Sequence, residues 1–66
     1  MRDFMRIARQ DQKLTMRQAA EKIGVSVGYY SMLEHGQRRP SGIVAIKLSR
    51  FYNIPIEKFY EMEQLS

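Results

Sequence analysis

The sequence predicts a compact all-α domain of five helices, and three observations support this prediction. Apolar residues recur three or four positions apart along the chain, which is the spacing of one helix face. Serine, threonine, glycine and asparagine stand where the helices would begin or end. Only short turns separate the five segments, and no repeat or linker divides them. We therefore expect residues 1–66 to form a single domain.

The first two predicted helices follow one another closely. Residues 1–12 predict the first helix, because Phe4 or Met5, Ala8 and Gln12 recur at helical spacing and share one face. Arginines surround that face. The second helix is expected to begin at Thr15, because Thr15 and Gln18 form a capping-box pattern that satisfies two backbone amides. Gly24 suits the left-handed conformation that commonly ends a helix.

A third helix is predicted after a turn of only three residues. Ser26 is a favourable N-cap, and the helix then spans residues 27–34 or 27–35 before a glycine. Tyr30 and Leu33 lie three positions apart, on the same apolar stripe as Ile23 and Val25. We therefore expect both in the core. Tyr29 is rotated by about 100° from its neighbour. The two tyrosine rings therefore cannot share a face, and Tyr29 should point outward.

The fourth helix is expected to start after Ser41 and to end at Asn53. Its apolar stripe consists of Ala45, Leu48 and Tyr52, widened by Ile46 and Phe51. An Ile-Pro connection follows, and residues 56–65 predict a short fifth helix.

Composition narrows the possible functions. Eleven Lys and Arg residues against seven Asp and Glu residues give a net charge of +4. This favours an anionic partner such as nucleic acid, the alternative being a basic surface that only confers solubility. The absence of cysteine fits a reducing cytoplasm. No segment approaches the ~20 apolar residues of a membrane span, and the N-terminus lacks the apolar stretch of a secretory signal.

No pattern predicts an enzyme, a cofactor or a metal site. His35 has no Cys, His or carboxylate cluster at ligand spacing. We expect it to be a cation in the last turn of the third helix or a solvated side chain. The chain shows no phosphate-binding glycine loop and no nucleophile–base pair, and 66 residues leave little room for a small-molecule ligand site.

Two short helices joined by three residues around a glycine form a helix-turn-helix pattern, here over about residues 15–35. With its surroundings, the chain resembles the phage-repressor family of regulators, the Cro/CI-like or XRE group. The matching segments are "LT" (14–15), "AA" (19–20), "IGVS" (23–26), "SMLEHG" (31–36), "RRPS" (38–41) and "NIPIEKFY" (53–60). The resemblance implies a lambda-repressor-like, five-helix DNA-binding domain.

The resemblance also implies which side chains would face DNA. In the family, the second helix of the motif enters the major groove and the first crosses the backbone. By position, the groove-facing residues would be Met16, Val27, Gly28, Tyr29 and Met32. Family members usually present Gln, Asn, Arg or Ser at the outward positions, which pair with base edges. Here discrimination would depend on thymine methyl contacts and DNA shape, with the glycine allowing close approach.

Phosphate contacts are expected in the loop after the third helix, which the family places against the DNA backbone. The resemblance assigns this role to Arg38 and Arg39, with Gln37 joining through its amide and Arg17 contributing from the second helix. The alternative is that the two loop arginines are simply solvated. Arg9 and Glu34 resemble a different family pair, a structural ion pair between the first and third helices.

The resemblance implies a sequence-specific double-stranded DNA-binding regulator, namely a repressor that binds a palindromic operator as a homodimer. Such a protein would be cytoplasmic, bacterial or phage-encoded, and would act at the nucleoid. The last segment carries more apolar surface than one helix face needs, which suggests a dimer interface of Pro55, Ile56, Tyr60 and Met62. Alternatively, Ile56, Phe59 and Tyr60 close the core of the monomer, and for Phe59 we prefer this. Two other functions stay open: a protein-interaction module or antagonist, and a non-specific architectural DNA-binding protein.

Overall fold

The computed structural model describes residues 2–60, which fold into four α-helices and one short 3-10 helix. The elements are α1 (Asp3–Asp11), α2 (Met16–Ile23), α3 (Val27–Glu34), α4 (Gly42–Tyr52) and the 3-10 helix (Ile56–Phe59). The all-α prediction is confirmed for this part of the chain. Within the same residues, no helix has the length and apolar character that crossing a membrane requires.

The predicted count of five α-helices is not confirmed. The pattern over residues 56–65 predicts a fifth α-helix, but Ile56–Phe59 forms a single turn of 3-10 helix. In this turn the amide of Lys58 donates to the carbonyl of Pro55 at 3.0 Å, a bond that spans three residues rather than four. Residues 61–65 of the predicted helix lie outside the described residues.

The predicted starts of α2, α3 and α4 are confirmed by their capping bonds. Thr15 Oγ1 accepts from the amide of Gln18 at 3.1 Å, while Gln18 Oε1 accepts from the amide of Thr15 at 2.9 Å. Ser26 and Ser41 cap α3 and α4 in the same way, each accepting from an amide three residues later. Gly24 ends α2 with a φ of +86°, a left-handed conformation that glycine adopts at little cost.

The core receives side chains from every helix. Its buried residues are Met5, Ala19, Ala20, Ile23, Tyr30, Leu33, Leu48, Tyr52 and Phe59. The prediction that Tyr30 and Leu33 are core residues is confirmed. The prediction that Ile46 widens the buried stripe of α4 is wrong, because it lies about 200° around the helix from Leu48. Ile46 is 43% exposed, and Ile43, one turn earlier, is 70% exposed.

An ion pair connects α1 to the end of α3. The guanidinium of Arg9 donates through Nη2 to Glu34 Oε1 at 2.9 Å and through Nε to Glu34 Oε2 at 3.0 Å. Its Nη1 donates to the carbonyl of Leu14 at 2.8 Å, in the turn before α2. The Glu34 hydrogen bond raises the pKa of Arg9 above its ordinary value. Glu34 itself is only 1% exposed, so the pair neutralises a buried carboxylate.

Two tyrosine hydroxyls extend this polar network to α4. Tyr30 Oη and Tyr52 Oη are 2.5 Å apart, and both rings are buried. Burial raises the pKa of both hydroxyls, and the charge of Glu34 raises them further. Both tyrosines therefore keep their protons at neutral pH. Within residues 2–60, every buried side-chain nitrogen and oxygen has a hydrogen-bond partner.

Replacing Arg9 by alanine is expected to destabilise the fold by about 3–5 kcal/mol, because it leaves Glu34 buried without its cation. This is comparable with the whole stability of a domain of this length, about 3–10 kcal/mol. Urea unfolding followed by circular dichroism measures the loss.

Arg6→Ala is the matched control for this variant. Arg6 lies on the same helix and pairs with Asp3 at 3.5 Å, but on the surface. Such a pair contributes about 0–1 kcal/mol. An unfolding midpoint of Arg9→Ala equal to that of the parent would contradict the structural role of the pair.

Candidate nucleic-acid interface

Helices α2 and α3 pack against each other and form a helix-turn-helix. The turn consists of Gly24, Val25 and Ser26. The amides of Gly24 and Val25 both donate to the carbonyl of Ala20, at 2.8 and 3.0 Å, so the chain leaves α2 in a defined direction. Ser26 then starts α3 by accepting from the amide of Tyr29 at 3.1 Å. The motif lies within the predicted range of residues 15–35.

The five residues predicted to face a groove differ in how far they reach solvent. Gly28 is exposed, and the other four are half-buried: Met16, Val27, Tyr29 and Met32. Of these, Met16, Val27 and Tyr29 also pack against the core, so only part of each side chain faces outward. The outward face of α3 therefore runs through Gly28 and Met32, one turn apart. Ser31, which the sequence analysis did not single out, borders the same face at i+3 from the glycine.

The residues predicted to contact phosphates are all exposed. Arg17 lies in the first turn of α2, whereas Gln37, Arg38 and Arg39 lie in the loop between α3 and α4. This loop folds back on the end of α3, because the amides of Gln37 and Arg38 donate to the carbonyl of Met32 at 2.8 and 3.3 Å. The loop that contains Gln37, Arg38 and Arg39 therefore lies beside the end of α3, whereas Arg17 lies on the neighbouring helix α2.

Arg2 holds the same end of α3 and was missed by the sequence analysis. Its backbone amide donates to the carbonyl of Glu34 at 2.7 Å. Its side chain donates through Nη1 to the carbonyls of Leu33 and Arg38, the latter at 2.8 Å. These partners are 31 to 36 residues away along the chain. No local pattern in the sequence could have indicated contacts over that separation.

Tyr29 contacts the loop at two points. The guanidinium carbon of Arg38 lies 5.6 Å from the centroid of the Tyr29 ring, within cation–π range. The backbone amide of Ser41 donates to the Tyr29 hydroxyl at 3.4 Å. The prediction that Tyr30 packs inward is confirmed, whereas Tyr29 points outward only in part, because its ring is half-buried and packs against the core. The sequence analysis did not foresee that Tyr29 points toward the loop.

His35 caps the C-terminal end of α3. Its Nδ1 lies 2.8 Å from the carbonyl of Ser31, to which it donates in the tautomer protonated at that nitrogen. Residues 2–60 contain no group of three or more His, Cys, Asp or Glu side chains that could hold a metal ion.

The predicted dimer residues lie at the end of the described chain. Pro55 is exposed, Ile56 and Tyr60 are half-buried, and Met62 lies outside the described residues. Phe59 is only 2% exposed. Its ring packs against that of Phe4 in a T-shaped arrangement at a centroid distance of 5.3 Å, so it belongs to the core of the monomer as we preferred.

Comparison with known proteins identifies the same motif. A helix-turn-helix family model matches residues 5–59. Uncharacterized HTH-type transcriptional regulators from two strains of Mycobacterium tuberculosis, CDC 1551 / Oshkosh and ATCC 25618 / H37Rv, are each 37% identical to the chain over 57 residues. The match covers 86% of this chain, which spans about two fifths of those relatives, or 41% of their length. No solved structure matches the chain significantly.

Gly28→Ala is expected to have opposite effects on stability and on DNA binding. A Cβ at Gly28 would meet no atom within 4 Å, and alanine is favoured over glycine in a helix by up to about 1 kcal/mol. The variant should therefore unfold at a higher urea concentration. If α3 approaches a groove closely at this point, the added methyl group should weaken binding to duplex DNA. Higher stability with unchanged DNA affinity would show that Gly28 does not face the groove.

Proposed function

The chain belongs to the XRE-like helix-turn-helix family, and on that premise we propose that it is a sequence-specific, double-stranded DNA-binding transcriptional regulator. One structural observation carries the proposal: the loop with Arg38 and Arg39 is folded onto the end of α3, the second helix of the motif. Basic side chains beside a helix that fits a major groove are what DNA binding requires. The Mycobacterium tuberculosis relatives, themselves named as transcriptional regulators, support the same proposal.

In the proposed complex, α3 lies in the major groove and α2 crosses the DNA backbone. The groove-facing surface is formed by Met16, Val27, Gly28, Tyr29 and Met32. Its exposed parts are small or apolar, so we expect contacts with thymine methyl groups and a dependence on DNA shape. The phosphate contacts are made by Arg17, Gln37, Arg38 and Arg39. Amides in the first turns of both helices, apart from those of Gln18 and Tyr29 that donate to the capping side chains, add donors toward phosphates.

We further propose that residues 1–66 act as one DNA-binding domain of a repressor, which occupies a palindromic operator as a homodimer. A protein that acts by occupying its site needs no catalytic group, cofactor or small-molecule ligand. The family is typically non-enzymatic, which agrees with this mechanism. Its place of action would be the cytoplasm of a bacterium, on chromosomal or phage DNA.

Selection of bound duplexes from a random pool tests the main proposal. We expect enrichment of a two-fold symmetric site, with binding that weakens steeply between about 50 mM and 200 mM salt. Fluorescence anisotropy on the enriched duplex then measures the slope of log K against log salt. Arg38→Ala should reduce the magnitude of this slope by about 0.9, the value for one phosphate contact. Arg6→Ala, which removes the same charge from α1, should leave the slope nearly unchanged.

Each other outcome of the selection points to one of the alternative functions. Salt-sensitive binding without enrichment of any sequence would identify a non-specific architectural protein. A folded chain that binds no duplex even at low salt would contradict both forms of DNA binding. The half-buried side chains of Val27, Tyr29 and Met32 would then be tested as a surface for a protein partner, because tyrosine and methionine are enriched in protein interfaces.

The homodimer is tested by sedimentation at increasing protein concentration. We expect self-association in the micromolar range through Pro55, Ile56, Tyr60 and Met62. Ile56→Glu should weaken it, because a charge would have to be desolvated in an apolar interface. Ile43→Glu is the matched control: Ile43 is 70% exposed but lies on α4, outside the proposed interface. If Ile43→Glu disrupts association and Ile56→Glu does not, the dimer uses α4 instead.

A further inference from the structure

Tyr29 lies where α3 meets the loop between α3 and α4. Its backbone belongs to α3, and its ring packs partly against the core. The ring lies beneath the guanidinium of Arg38, at 5.6 Å from centroid to guanidinium carbon. Its hydroxyl accepts from the amide of Ser41, the residue that caps α4. One side chain thus touches the loop at its middle, Arg38, and at its end, Ser41.

These contacts limit what Tyr29 can do toward a base. Its hydroxyl is already directed at the Ser41 amide, and one ring face is covered by Arg38. An arginine that lies over a ring can still donate its in-plane N–H groups to a phosphate. The geometry therefore leaves Arg38 available to DNA while restricting its motion.

We propose that Tyr29 is a positioning residue that holds Arg38 for phosphate contact, rather than a residue that distinguishes bases. This inference rests on the proposed DNA-binding function and assigns a role within the same site. A free arginine side chain loses rotamer entropy when it is immobilised on DNA. Arg38 has part of that freedom removed in advance, because the Tyr29 ring beneath it is half-buried and packs against the core. The ring also fixes the distance between the phosphate contact and the groove-facing residues of α3.

The test is a double-mutant cycle on Tyr29 and Arg38, measured by anisotropy on a labelled random-sequence duplex and on the selected duplex. Tyr29→Leu should weaken binding about two- to fivefold on both duplexes alike, the range expected for losing an exposed cation–π contact. Tyr29→Phe keeps the ring and should retain most of the affinity. In an Arg38→Ala background, Tyr29→Leu should have no further effect, because the residue it positions is gone.

Two results would overturn the proposal. One is an additive cycle, in which Tyr29→Leu weakens binding equally with and without Arg38. The other is a change in the preferred sequence on Tyr29→Leu with an unaltered salt slope, which would make Tyr29 a base-contacting residue. Failure of the proposed function is distinct from both, because it would appear in the parent chain, which would then bind no duplex or bind all duplexes alike.

A measurement on the parent protein tests the proposal even if a variant does not fold. Protons of an arginine side chain held over a tyrosine ring are shielded by the ring current. In the NMR spectrum of the free protein we therefore expect upfield shifts of the Arg38 side-chain protons. Random-coil values for these protons would show that Arg38 is not held before DNA binds, and the proposal would fail whatever the variants do.

Discussion

The buried carboxylate of Glu34 is the constraint on which the rest of the structure depends. It lies at the end of α3 and is neutralised by Arg9 of α1, whose guanidinium also bonds to the turn before α2. A carboxylate buried in this way is tolerated only when its partner arrives with correct geometry. Because Arg2 bonds to the same end of α3, both ends of α1 hold this helix. The orientation of α3 is therefore set by α1, outside the helix-turn-helix.

This constraint limits which side chains of α3 are exposed and able to face DNA. Tyr30, Leu33 and Glu34 take its inner face, and Tyr29 turns toward the loop. An eight-residue helix then has little outer surface left, mainly Gly28 and Met32. Neither provides the paired hydrogen-bond donors and acceptors that distinguish base pairs in the major groove. Under the proposed function we therefore expect recognition by close approach, methyl contacts and DNA shape, with affinity coming from the proposed phosphate contacts.

The features predicted correctly from residue patterns alone are those that depend on neighbouring residues, whereas the Arg9–Glu34 pair, 25 residues apart, was predicted only from the family resemblance. The capping box at Thr15 and Gln18, and the opposed directions of Tyr29 and Tyr30, follow from local chain geometry within a helical turn. The wrong prediction for Ile46 came from counting an apolar residue without its angle around α4, and the pattern over residues 56–65 does not distinguish a 3-10 turn from an α-helix. The contacts of Arg2 and the ring contact of Arg38 join distant residues, which periodicity cannot pair. The choice of groove-facing residues came from a family resemblance and stays a prediction.

The arginines of this chain include two groups, those that bond to the protein itself and those that are exposed on or beside the helix-turn-helix. Arg9 is neutralised by a buried glutamate, Arg2 donates to backbone carbonyls, and Arg6 pairs with an aspartate on α1. Their positive charge is largely directed at the protein itself. Arg17 and Arg38 instead lie exposed on or beside the helix-turn-helix. The net charge of +4 counts all of these alike, although only cations close to phosphates release counterions on binding. We therefore expect DNA affinity to depend on the position of each arginine, and that position depends on how α1 and the loop hold α3.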